Sequence, residues 1–141
     1  MTSIANLQRM TAKTLSIKIL EETATTAVID VRDDDYIGGH IKGSINVPSR
    51  QFDAMMPTLA RRLLDKKTVV FHCALSQQRG PSAALKYLRE RDGALKALGL
   101  EPPQEQSVSV LQDGFTGWQE VYGTDERLTE AYQKELWESG Y

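Results

Sequence analysis

Thiol and imidazole are scarce in this sequence, which has one cysteine, Cys73, and two histidines, His40 and His72. A single thiol cannot close an internal disulfide. One cysteine and two dispersed histidines do not by themselves supply a tetrahedral ligand set, so no metal is expected. Long apolar runs are missing too: no stretch approaches the length of a membrane span or of a signal-peptide core. Nor does one sign of charge dominate. Seventeen Lys and Arg against nineteen Asp and Glu leave a net charge of −2, which offers no general attraction to nucleic acid or to an anionic membrane. These absences point to a reducing compartment, cytoplasmic and/or nuclear, and to no nucleic-acid or membrane partner.

What is present suits one folded unit. The chain has 141 residues, 40% hydrophobic and 26% charged. A chain of that size buries roughly two-thirds of the surface its unfolded form exposes, so residues 1–141 are expected to form a single domain without staples.

Short apolar runs alternate with helical patterns. Leu7 to Met10 reads as a short strand, and Thr11 as the N-cap of a helix over about Ala12 to Glu22. Ala27 to Val31 is apolar almost without alternation, as in a parallel strand covered on both faces. A turn-rich segment, Gly38 to Pro48, holds a short strand at Ile45 to Val47, and Ser49 is a candidate cap for a helix over Phe52 to Leu64. Pro57 predicts a kink or a break in that helix. Thr68 to Phe71 reads as a strand, followed by a helix with Pro81 as its first residue, running to about Arg91. Asp92 to Gln106 is expected to be a partly helical connection. Ser107 to Leu111 is the last strand, Gln112-Asp113-Gly114 a turn and Phe115 to Tyr122 a helical segment. Thr124 is expected to cap a terminal helix over about 124–139, with Leu128, Tyr132 and Leu136 on one face. The predicted fold class is therefore α/β: an open, mostly parallel sheet flanked by helices on both faces.

Chemistry concentrates at Cys73, which ends the strand Thr68 to Phe71 after His72 and is separated by Ala74, Leu75, Ser76, Gln77 and Gln78 from Arg79-Gly80-Pro81. If Cys73 to Arg79 wrap into a cup, their backbone N–H groups and the end of the next helix create an oxyanion site. Ala74 to Arg79 would then be the oxyanion-binding residues, with Arg79 clamping two oxygens through its planar fork. The same field favours the thiolate, making Cys73 a nucleophile at neutral pH. Ser76 is expected to hydrogen-bond the sulfur. His72 points to the other side of the strand and reads as a structural group. His40, in a turn, is expected to bond neighbouring backbone.

The run Asp30-Val31-Arg32, the turn Gly39-His40-Ile41-Lys42-Gly43-Ser44, the stretch Phe71-His72-Cys73 to Arg79-Gly80-Pro81 and Gly114-Phe115-Thr116-Gly117-Trp118 resemble successive signatures of rhodanese-like phosphatases. The likeness is to the M-phase inducer family and above all to its small stand-alone fungal and plant relatives, some of them arsenate reductases. It implies a rhodanese-like sheet, with Cys73 and Arg79 as catalytic residues. Sulfurtransferases of this fold use a loop one residue shorter, so five residues between Cys73 and Arg79 favour a tetrahedral oxyanion. Gln78 stands where the M-phase inducers carry a glutamate, so that acid is missing. Asp33, Asp34, Asp35 and Asp113 are candidates only by their place after parallel strands, and are otherwise expected to be solvated loop carboxylates and turn formers.

The function these features imply is a cysteine-dependent phosphatase acting on phosphotyrosine, with phosphoserine and phosphothreonine as further substrates, through a phospho-cysteine. Its partners would be a phosphorylated protein or a small phosphate or arsenate oxyanion. Arsenate reduction is the second candidate. Lacking a second cysteine, it would need glutathione or glutaredoxin as external reductant, whereas hydrolysis needs no cofactor. Thiosulfate sulfur transfer and non-catalytic phosphate binding rank lower. No feature of the sequence sets the oligomeric state.

Overall fold

In chain order, the computed structural model, which describes residues 7–140, forms β1 (Gln8–Met10), α1 (Ala12–Glu21), β2 (Thr26–Asp30), β3 (His40–Ile41), β4 (Ile45–Asn46) and α2 (Phe52–Arg62). β5 (Thr68–His72), α3 (Arg79–Ala97), β6 (Ser107–Leu111), α4 (Gly114–Tyr122), β7 (Thr129–Glu130) and α5 (Lys134–Glu138) follow. Five strands pair in parallel, in the order β1-β6-β5-β2-β4, so β5 lies at the centre. No helix among the described residues is long and apolar enough to cross a membrane.

Alternation along the strands feeds two cores. Ala27, Ile29, Val69 and Phe71 face α2 and α3, packing with Phe52, Met56, Leu59, Ala84 and Tyr87. Val28 and Val70 face α1 and α4, packing with Leu15, Ile19, Phe115 and Trp118. Covering both faces explains why these strands read as continuous apolar runs. Asp30 and His72 are register partners, so the loops after β2 and β5 leave the sheet side by side. That pairing is what brings a carboxylate-rich loop next to Cys73.

Thr11 caps α1 as expected, its Oγ1 accepting from the Thr14 N–H at 3.2 Å. Several expectations are corrected. α2 continues from Phe52 to Arg62 without a break at Pro57: the lost backbone bond and the crowding of the Asp53 carbonyl are offset by the burial of Phe52, Met56, Leu59 and Ala60. Ser49 does not cap α2. It opens a separate 3₁₀ turn, Ser49–Gln51, and its hydroxyl donates to Asp33 instead. α3 starts two residues earlier than predicted and continues past Gly93 to Ala97, where buried Leu95 anchors its last turn.

The predicted helix over 124–139 is replaced by β7 and the short α5. Thr129 and Glu130 pair antiparallel with Ile41 and His40, and Ala131 takes a left-handed φ of 55° that ends any helical path. The four-residue spacing of Leu128, Tyr132 and Leu136 reflects burial from separate elements rather than one helix face. His40 also departs from expectation. Its ring approaches Glu130 Oε1 at 3.5 Å and stacks on Tyr36, instead of bonding backbone.

Candidate active site

Cys73 leaves the end of β5 at the centre of the sheet, 3% exposed, at the floor of a cavity of about 210 Å³. Ala74, Leu75, Gln77, Gln78 and Arg79 line the rest of it. The cup expected from the sequence is therefore formed, and its backbone orientation follows from three contacts. The Cys73 carbonyl accepts from the Phe115 N–H at 3.0 Å and the Ala74 carbonyl from the Thr116 N–H at 2.9 Å, both at the start of α4. The Ser76 carbonyl accepts from Arg9 Nη1 at 3.1 Å. In a trans peptide the N–H points opposite to the carbonyl. The N–H groups of Ala74, Leu75 and Gln77 are thus turned away from α4 and from Arg9.

Among the described residues, no protein acceptor meets the N–H of Ala74, Leu75, Ser76, Gln77 or Gln78. Backbone donors in folded proteins are almost always satisfied. Four of these donors, those of Ala74, Leu75, Gln77 and Gln78, belong to residues that line the cavity, a geometry that suits an anion. Ser76 makes the tight curvature possible with a left-handed φ of 56°. Gly114 lets α4 come close: a Cβ there would sit 2.5 Å from the Cys73 carbonyl oxygen.

The sulfur accepts a hydrogen bond from the Gly80 N–H, at 3.4 Å, in the first turn of α3. That N–H belongs to the first turn of the nineteen-residue α3, whose N-terminal end faces the sulfur. Ser76 does not supply the bond expected of it. Its Oγ is buried and without a partner among the described residues. The N–H of Gly80 takes that place because α3 begins before Pro81.

Arg79 stands at the cup with its Nη1/Nη2 edge already engaged. Nη1 and Nη2 form a bidentate pair with the Asp35 carboxylate at 2.8 and 2.6 Å, and Nη1 also reaches Asp33 Oδ2 at 3.3 Å. This corrects the expectation that Asp33 and Asp35 are solvated turn formers. The Arg79 guanidinium holds the Asp35 carboxyl down at about 2. Asp33 also lies below the usual carboxylate range. Burial opposes this, but donors from Ser49, Arg50 and Arg79 together prevail. In turn the two carboxylates raise Arg79, Asp35 contributing most. Neither aspartate holds a proton near neutral pH, so neither is the missing acid. Asp34 is exposed and pairs with Arg50 at 2.9 Å. Asp113 adopts a left-handed φ of 65° before α4.

His72 is fully buried, with Nδ1 3.0 Å from the Cys73 carbonyl oxygen and Nε2 3.7 Å from Asp30 Oδ2. Burial pushes its protonation down, opposed by Asp30. It is a structural group, as its place on the strand suggested. Asp30 is bidentate to Arg32, Nε donating to Oδ1 at 3.1 Å and Nη2 to Oδ2 at 2.7 Å. Arg32 also donates to the Gly39 carbonyl at 2.8 Å and lies over the Phe115 ring. This buried pair ties the loop carrying Asp33 and Asp35 to the sheet.

Sequence reasoning missed Arg9 and the engagement of Arg79 by Asp33 and Asp35. Aspartates directly after a parallel strand were a usable signal, but nothing in the spacing linked them to an arginine 44 residues away.

Residues 12–121 match the rhodanese-like domain family. The chain is 42% identical over 120 residues to the CDC25-like phosphatase YCH1 of Saccharomyces cerevisiae, covering 78% of this chain and 76% of that one. It is 43% identical over 97 residues to arsenate reductase 2.2 of Oryza sativa subsp. japonica, covering 66% and 68%. The solved structure of Ygr203w, described as a yeast protein tyrosine phosphatase of the rhodanese family, superposes with a TM-score of 0.78 at 37% identity. That alignment spans 96% of this chain and 99% of the other. With the sheet order, the loop after β5 and these likenesses in agreement, the chain belongs to the rhodanese-like family.

Proposed function

We propose that the protein is a cysteine-dependent phosphatase acting on phosphotyrosine, with phosphoserine and phosphothreonine also as substrates. The observation that carries this is the run of backbone N–H groups from Ala74 to Gln78 that meet no protein acceptor among the described residues, in a loop whose cavity is lined by both Cys73 and Arg79. A phosphoryl group seated in that loop has its non-bridging oxygens on the N–H donors and on Arg79, and its phosphorus facing Sγ. The thiolate attacks in line, the S–P bond forms as the P–O bond to the alcohol or phenol breaks, and the leaving oxygen takes a proton. Water then attacks the phospho-cysteine, releasing inorganic phosphate and restoring the thiolate. Asp33 and Asp35 are ionised through Arg79 and cannot donate that proton. A phosphate monoester bound as its monoanion brings the proton with it, so no protein acid is required.

The similarity to a rice arsenate reductase favours a second activity of the same cup. Cys73 would attack arsenic(V) with loss of water, and glutathione would then attack the sulfur of the S–As bond. Arsenic leaves as arsenite, reduced by two electrons, and the oxidised product is a Cys73–glutathione disulfide. Glutaredoxin and further glutathione restore the thiol. Cys73 being the sole cysteine, the reductant must come from outside. Either reaction needs Cys73 reduced, which fits the cytoplasm and/or the nucleus.

Hydrolysis of an aryl phosphate by wild type, Cys73→Ser and Arg79→Ala, alongside arsenite production from arsenate with glutathione and glutaredoxin, tests both. Aryl-phosphate turnover should vanish in Cys73→Ser and fall by about 10² or more in Arg79→Ala. Hydrolysis persisting in Cys73→Ser would overturn the mechanism.

A further inference from the structure

A guanidinium has five N–H donors, arranged so that two separate bidentate edges exist: Nη1 with Nη2, and Nε with Nη2. In Arg79 one of these edges is committed. Asp35 takes one hydrogen each from Nη1 and Nη2, and Asp33 Oδ2 also accepts from Nη1, at 3.3 Å. Nε and the second hydrogen of Nη2 have no partner among the described residues, and together they form the other edge. The two carboxylates thus satisfy one side of the guanidinium and leave one complete two-donor fork.

The carboxylates are themselves held from elsewhere. The Ser49 hydroxyl donates to Asp33 Oδ2 at 2.5 Å, the Arg50 N–H donates to Asp33 Oδ1 at 3.1 Å, and the Asp33 N–H donates to Asp35 Oδ1 at 3.0 Å. The loop that carries them is bound to the sheet by the buried Asp30–Arg32 pair. Against this bracket, Arg79 is the adjustable member: a long side chain, one-third exposed, whose rotamer freedom would otherwise be lost on binding an anion.

Resting on the phosphatase reading above, we propose that Asp35, supported by Asp33, is a positioning residue for the oxyanion site. It anchors the Nη1/Nη2 edge of Arg79 so that the Nε/Nη2 edge is preset for the phosphoryl or arsenate oxygens. Two other roles are open to a carboxylate here. As proton donor it would have to stay protonated near neutral pH, and its pairing with Arg79 forbids that. As competitor it would occupy the only fork the anion can use, whereas the donor count leaves a second one.

The competing roles differ in the sign of one measurement, the inhibition constant of vanadate, used as the probe oxyanion. It is read in wild type, Asp35→Asn, Asp35→Glu and Asp33→Asn, with kcat and KM for an aryl phosphate, the pH profile and the melting midpoint. In Asp35→Asn, positioning predicts vanadate inhibition weakened about tenfold and kcat/KM lowered by a similar factor, with the shape of the pH profile kept. Asp35→Glu, which restores a carboxylate, should recover most of the loss. Asp33→Asn, removing the longer contact, should cost about threefold. Tighter or unchanged vanadate binding in a folded Asp35→Asn would overturn the proposal, as would an altered alkaline limb of the pH profile. If Asp35→Asn does not fold, the proposal stands or falls on Asp33→Asn and Asp35→Glu by the same sign. Failure of wild type itself to bind vanadate or to turn over would overturn the phosphatase reading and this proposal with it. An active, vanadate-sensitive wild type with indifferent Asp35 variants would overturn this proposal alone.

Discussion

Replacing Gly114 with alanine should disturb the cup without replacing a residue that lines it. Gly114 has a left-handed φ of 57°, and a Cβ there would lie 2.5 Å from the Cys73 carbonyl oxygen and nearer still to that of Ala74. The left-handed conformation costs a non-glycine residue about 1–2 kcal/mol. The overlap with two carbonyls must also push α4 from the loop, stretching the bonds from Phe115 and Thr116, each worth about 1 kcal/mol net. Gly114→Ala should therefore lose roughly 2–4 kcal/mol, or about 8–16 °C in melting midpoint for a domain of this size. Gly43 supplies the control. Its φ is 77°, but nothing lies within 4 Å of its would-be Cβ, so Gly43→Ala carries the conformational cost alone, about 4–8 °C. Thermal melts and vanadate inhibition of the two variants give the comparison. Gly114→Ala should be less stable and bind vanadate more weakly, Gly43→Ala only modestly destabilised with vanadate binding intact. Equal melting and equal vanadate affinity would refute the claim that contact with α4 orients the carbonyls of the cup.

Two further effects follow from the buried charges. Asp30→Ala strips Arg32 of its buried partner and should cost about 3–5 kcal/mol in urea denaturation, while Asp30 and Arg32 replaced together should cost less than the sum of the singles. The second concerns His72, whose protonation in the folded chain is pushed below the ordinary 6.5. From that value downwards the unfolded chain takes up a proton that the folded chain refuses, so stability is present above pH 6.5 and falls as pH drops. Between pH 7.5 and 5.5 wild type should lose about 1 kcal/mol that His72→Gln does not lose. Parallel pH dependences in the two proteins would show that His72 does not titrate on unfolding. Asp35, at about 2, contributes in a separate window, below about pH 4.

The strands of the parallel sheet were legible because β2, β5 and β6 are covered on both faces, which writes itself as Val-Ile and Val-Val-Phe runs bounded by turns. Cys73 and Arg79 were legible because a strand, five residues and a helix opening place them on one cup. The C-terminal region was not. A two-residue strand such as Thr129–Glu130 carries no periodicity of its own and exists only because β3 lies beside it. The role of Asp33 and Asp35 was hidden for a related reason. Their partner comes from another crossover, and only the register of Asp30 with His72 brings the two loops together. Ser76 illustrates a local misreading: the residue type suited a bond to the sulfur, but its left-handed backbone left the hydroxyl buried elsewhere.

The most direct test of the central claim is to trap the covalent intermediate. Wild type mixed with an aryl phosphate, quenched during turnover and digested, should show one added phosphoryl group on the peptide carrying Cys73. The adduct should form at least as fast as phosphate is released, and it should be missing from Cys73→Ser. Turnover with no adduct on Cys73, or with phosphate on another residue, would contradict the assignment of Cys73 as the nucleophile.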